Sequence, residues 1–220
     1  LKHFSEDDSW LIWQIADSAF PSGGFAHSAG LEAAWQHGEV RDVQELSSFI
    51  ETSLSQCAFG MAPLLRAAHA SPSRLVELDE LCDAFLSNHV ANRASRLQGR
   101  AFLSSASRIF GAAHFPENYS GCFHFAPVFG VVARALNFSY NVAAELFLFQ
   151  NLRGLIGASV RLGIAGPMEA QALQTRLAGS AKEILSLTIT RGIEDIASVA
   201  PLLEIWQSSQ DRLYSRLFQT

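Results

Sequence analysis

The densest gathering of chemically special residues lies at positions 16–32, Ala-Asp-Ser-Ala-Phe-Pro-Ser-Gly-Gly-Phe-Ala-His-Ser-Ala-Gly-Leu-Glu. Two carboxylates (Asp17, Glu32), a lone histidine (His27), the serines Ser22 and Ser28, Pro21 and the glycines Gly23, Gly24 and Gly30 share it, with Phe20 and Phe25 as aromatics of a kind suited to a surface. Serine beside histidine suggests a nucleophile and its base. A glycine pair ahead of a helix suggests a phosphate cradle. Both ideas are incomplete here. No GxSxG elbow occurs, and no GxxxxGK[ST] follows the glycines. His27 reads more simply as a turn residue bonding backbone groups. So many constrained residues in one connection point to a presented surface, and no catalytic residue is assigned.

Three other groupings have chemistry-bearing types. Cys122-Phe123-His124 offers a thiol and an imidazole two residues apart, acceptable to nickel or zinc. No second pair at ligand spacing accompanies them, and Phe123, Phe125 and Pro127 read as core, so no metal site is assigned. His89, Arg93, Arg96 and Arg100 follow in steps of four, three and four, which puts them on one helical face. That face is either solvated or a docking face for an acidic partner. The last residues, Tyr214, Ser215, Arg216, Leu217 and Phe218 ahead of Gln219-Thr220, are of types that anchor interfaces when buried. They pack either on the chain's own core or on a partner. Glu32 likewise has two readings: a first-turn acid complementing its helix dipole, or an exposed anion offered to a cationic partner.

Helices must position these groups. Ser9 is placed to cap a helix carrying Leu11, Ile12 and Ile15 and ending before Pro21. The Gly23-Gly24 pair permits positive backbone dihedrals in the turn. Ser28 is placed to cap a second helix reaching Gln36 or His37, with Gly38 after its end, and Asp42 starts a third carrying Leu46, Phe49, Ile50 and Leu54. Further helices are expected near 60–70, 74–86, 88–110, 119–136, 139–163, 168–191 and 198–216. Pro72, the Phe115-Pro116 step, Gly163 with Gly166-Pro167, and Pro201 separate them. No alternating run is long enough for a strand. The expectation is all-α: one helical-bundle domain of about ten helices over residues 1–220, with 214–220 a docking tail.

Composition narrows the partners. Hydrophobic residues make up 49% of the 220 and charged ones 17%, which supports a packed core. A net charge of -5 argues against a nucleic-acid binder. Arginine carries nearly all the positive charge, Lys2 and Lys182 being the lysines, and this favours planar contacts at protein surfaces. Residues 143–160 are interrupted by Glu145, Asn151 and Arg153, too polar for a membrane span. Cys57, Cys82 and Cys122 form no disulfide framework, and the first residues carry no secretory pattern, so a reducing, cytoplasmic location is expected.

Four segments together resemble the UreF-type urease accessory proteins: residues 16–32; His124-Phe125-Ala126-Pro127-Val128-Phe129-Gly130; Arg161-Leu162-Gly163 with Gly166-Pro167; and Tyr214-Ser215-Arg216-Leu217-Phe218. Ala29 stands where the family more often has another small or polar residue before Gly30. The resemblance implies a dimeric all-α protein without catalysis or a cofactor of its own. Such proteins bridge a second accessory protein (UreD, also called UreH) and the nickel-carrying GTPase UreG, and the complex delivers nickel to apo-urease. Carried over by motif, the resemblance puts Glu32 and Arg161 on the GTPase side and residues 214–218 on the UreD/UreH side. It makes Asp17, Pro21, Gly23, Gly24 and His27 the motif turn. The alternative from another class is a nickel-binding helical chaperone or metalloenzyme using Cys122 and His124.

Overall fold

The computed structural model describes residues 4–116 and 119–220. Among these residues ten α-helices follow one another: α1 Ser9–Ala16, α2 Leu31–Gln36, α3 Val43–Gly60, α4 Ala62–Ala70, α5 Leu75–Phe85, α6 His89–Phe110, α7 Phe125–Ala135, α8 Tyr140–Arg161, α9 Pro167–Thr188 and α10 Pro201–Ser209. No strand occurs among the described residues, so the all-α expectation holds. Among the described residues no helix is long and apolar enough to cross a membrane.

Helix α7 is the centre of the packing. Its residues 125–133 are all buried, so it is apolar on every side and needs neighbours all round. Helices α4, α5, α6 and α8 supply them. Gly130 permits the closest approach: a Cβ there would lie 2.4 Å from the Leu65 carbonyl oxygen of α4. Phe102 of α6, Phe125 and Phe129 of α7 and Phe147 of α8 meet with ring centroids 5.1 to 5.6 Å apart. Aromatic packing of this kind adds to simple area burial.

Several helix ends differ from expectation, each for a local reason. The cap of α1 is Asp8, whose carboxylate accepts from the N–H groups of Trp10 and Leu11, and Ser9 lies inside the helix. Ser28 does not cap α2; Gly30 does, in a left-handed conformation (φ +88°) that a side chain would resist. Asp42 caps α3 as expected, and Gly38 after α2 has φ +79°. The helix expected from 119 begins only at Phe125, because the carboxylate of Asp79 captures the N–H groups of Phe123 and His124. The last helix stops at Ser209 instead of running to 216, and after a single 3₁₀ turn, Gln210–Arg212, the chain continues without helix, bending at 214–215 and 217–218.

A candidate partner-binding site

At the end of α1, the Asp17 carboxylate accepts the Ala19 N–H at 2.6 Å, and Arg153 of α8 donates to the Ala16 carbonyl. The turn that follows points Phe20 inward. It is buried, with rings of Phe102 and Phe110 at 5.7 and 6.2 Å, so Phe20 is a core residue and not a surface one. Pro21 is exposed and its carbonyl accepts from Ser105. Gly23 carries the positive dihedral of the turn (φ +76°) with space for a Cβ only 3.3 Å from that of Ala101. Gly24 does not share that conformation; there a Cβ would merely press on the flexible end of Gln98.

The C-terminal segment returns to this turn. The Ser28 N–H donates to the Thr220 carbonyl at 2.7 Å and the Gln219 N–H to the Ala26 carbonyl at 2.9 Å, joining the two segments. The His27 imidazole closes the pairing with its Nδ1 against the Thr220 hydroxyl. Burial, with Arg93 nearby, lowers the His27 pKa to about 4, so the ring is neutral at pH 7.

Glu32 is where the structure corrects the sequence reading most sharply. Its reading as an exposed anion is wrong, since the residue is 2% accessible, although it does stand in the first turn of α2. One carboxylate oxygen accepts the Leu217 N–H at 2.6 Å; the other accepts the Phe218 N–H at 3.1 Å and the Gln210 side-chain amide at 2.7 Å. A buried carboxylate supplied with three donors is stable only while they remain in place. The N–H groups of Leu217 and Phe218 therefore bond Glu32 in place of helical carbonyls, and the chain beyond the 3₁₀ turn is not helical.

Arg161, at the end of α8, completes the assembly. Its guanidinium lies between two rings, 3.7 Å from the centroid of Phe25 and 4.0 Å from that of Phe218. Cation–π contact of this kind favours arginine over lysine. Burial lowers its pKa, and Glu32 opposes that. Glu32 and Arg161, read from sequence as one partner surface, and the tail, read as another, thus form one latch together with His27 of the motif turn. What this latch leaves open is apolar and aromatic: Phe25 is 76% accessible, Leu217 58%, and Tyr214 fully exposed, while Phe218 is buried. Beneath the turn lies a cavity of about 500 Å³, bordered by Phe20, Ser22, Ser28, Gln150, Arg161 and Gln207.

The basic stripe on α6 is exposed, as the solvated reading expected, and each member also has a partner within the chain. His89, Arg93 and Arg216 converge on Asp211 at 3.3, 2.8 and 3.1 Å. Arg93, chiefly through its hydrogen bond, and His89 hold the carboxyl of Asp211 below its ordinary range. Arg96 donates to the Cys122 carbonyl, and Arg100 lies 4.6 Å over the Phe123 ring. The stripe ties α6 to the tail on one side and to the Cys122 loop on the other.

In that loop the structure adds a group that spacing did not reveal. Asp83 of α5 stands with Cys122 and His124, one ligand-type atom from each within 4.8 Å of the others. Sequence reasoning also missed Gln210, Asp79 and Asp211. Asp79 and Asp83 stand four apart on one face of α5, which was the available signal.

The UreF family model matches residues 40–178. Urease accessory protein F of rice (Oryza sativa subsp. indica) is 35% identical over 221 residues, spanning 96% of this chain and 85% of that protein. The chain belongs to the UreF family. Urease accessory protein F of Arabidopsis thaliana is likewise 35% identical over 221 residues, covering 95% of this chain and 91% of that protein. A UreF-like urease accessory protein of Schizosaccharomyces pombe is 26% identical over 98% of this chain and 99% of its own length. The similarity to these relatives thus extends well beyond residues 40–178.

Proposed function

We propose that this UreF-family chain acts in urease maturation as a non-catalytic assembly factor, bridging a UreD/UreH-type accessory protein and a UreG-type GTPase so that nickel reaches apo-urease. The observation that carries this reading is the latch: a motif turn, a buried acid and a stacked arginine hold the tail so that Phe25, Tyr214 and Leu217 stand outward together. Exposed aromatic and aliphatic anchors over a rigid support are what a protein interface uses. Residues 214–218 are the proposed contact with the UreD/UreH-type partner. Glu32 and Arg161 act by positioning the tail, in place of an acid facing the GTPase. A homodimer and a cytoplasmic location accompany this reading. Any effect on the GTPase must arise from unequal affinity for its nucleotide states.

Co-expression with UreD/UreH- and UreG-type partners, followed by sizing of the complex and a urease activation assay, tests the proposal. A Glu32→Ala chain should lose UreD/UreH along with UreG. Retention of UreD/UreH with selective loss of UreG would instead give Glu32 a direct GTPase-facing role.

A further inference from the structure

We infer that Asp83, Cys122 and His124 form a three-ligand site for a borderline divalent transition-metal ion of the zinc, cobalt and nickel class. The site uses none of the latch residues, so it stands or falls separately from the docking role.

The donor set itself makes the first argument. A thiol, an imidazole and a carboxylate come from α5 and from the loop before α7, segments about forty residues apart, with ligand atoms mutually within 4.8 Å. Sulfur with nitrogen and one oxygen selects borderline ions over calcium or magnesium, which prefer oxygen alone.

The surrounding bonds make the second. The His124 ring is fully buried and held at both nitrogens: Nε2 lies 3.0 Å from Asp83 Oδ1, and Nδ1 lies 3.1 Å from the Ser95 hydroxyl. Ser95 also accepts the Phe125 N–H at 3.1 Å. Asn92 donates to the same Asp83 Oδ1 at 2.9 Å, so both Asp83 bonds fall on one oxygen and Oδ2 is left for an ion. Asp79, itself buried, fixes the loop by accepting the N–H groups of Phe123 and His124. Partners that set the tautomer and orientation of a ligating histidine are a general feature of metal sites.

Backbone form makes the third. Phe123, between the two loop ligands, has φ +68°, a conformation costly for a bulky side chain. Gly99 of α6 accommodates the loop so closely that a Cβ there would lie 2.0 Å from the Phe123 carbonyl oxygen. The molecule carries this strain where Cys122 and His124 must both turn toward Asp83.

Binding balances simply. The ion takes the Cys122 sulfur as thiolate, and the thiol proton passes to solvent. The His124 proton moves, by exchange with water, from Nε2 to Nδ1, where it is donated to Ser95; Nε2 then faces the ion. Asp83 exchanges a hydrogen bond from His124 for coordination. Three protein ligands leave a fourth position open, as in sites that exchange a ligand rather than closed structural ones.

The test is titration of the reduced full-length chain with Co²⁺. The expected result is one equivalent bound with a near-ultraviolet thiolate-to-cobalt band, displaced by Zn²⁺. Cys122→Ser should remove the band, and Asp83→Asn should keep it while weakening affinity tenfold or more. Independently of any variant's folding, Zn²⁺ should protect Cys122 of the unmodified chain from alkylation, located by mass spectrometry. A folded chain giving no such band, a band that survives Cys122→Ser, or alkylation of Cys122 unaffected by Zn²⁺ would overturn the inference.

Discussion

Glu32 decides most at the scale of single residues. Replacing it with alanine leaves the Leu217 and Phe218 N–H groups and the Gln210 amide without their acceptor. Unmet buried donors cost about 1–3 kcal/mol each at most, and partial rescue by water reduces the sum, so a loss of about 3 kcal/mol is expected. Urea denaturation measures it, and limited proteolysis should then cut within 211–220. His27 gives a pH-dependent companion. The unfolded chain protonates this ring near its ordinary 6.5, whereas the folded one resists down to about 4. Between those values the unfolded state holds the additional proton. The contribution of neutral His27 is therefore intact above 6.5 and is lost as pH falls toward 4. Compared with a His27→Gln chain, the native one should lose about 1–3 kcal/mol of relative stability across that interval. A stability difference between the two that is flat from pH 7 to 4 would contradict the burial of His27. Residue types were legible in the sequence here but their partners were not. An acid in a first helical turn is ambiguous until the donors that reach it, nearly two hundred positions away, are located.

At the scale of elements, close approach explains both the successes and the failures of sequence reading. Periodicity and breakers placed the long helices because an amphipathic or fully apolar pattern is a local property. The ends at Phe125 and Ser209 were illegible because side chains elsewhere, Asp79 and Glu32, take the N–H groups that would have continued or started a helix. Glycines sort the same way. Gly30 combines φ +88° with a Cβ position 3.0 Å from the Gln207 backbone nitrogen, so Gly30→Ala should cost about 2 kcal/mol or more by thermal denaturation and loosen α10. Gly99→Ala should do more than weaken α6, since Phe123 must move; its readouts are a lowered melting temperature and loss of the proposed cobalt signal. Gly24→Val meets only the end of Gln98 and is the milder change, whereas the left-handed turn itself depends on Gly23.

For the whole molecule, the fold is a packed helical body carrying a non-helical tail against the motif turn, and the tail is the proposed docking element. Family membership was visible in four short segments because two of them, the motif turn and the tail, are the two halves of one contact. Their joining was not visible, since neither half signals the other by pattern or spacing. Arg161 shows the same limit: its position at the end of α8 was readable, but its place between Phe25 and Phe218 depends on both halves at once. The central claim is that this latched tail, residues 214–220, is the docking element for the UreD/UreH-type partner. The most direct measurement is co-purification of that partner with the full chain and with a chain lacking residues 214–220, each checked for helicity by circular dichroism. The account predicts a helical but less stable truncated chain that no longer retains the partner, whereas undiminished co-purification with that folded truncated chain would contradict it.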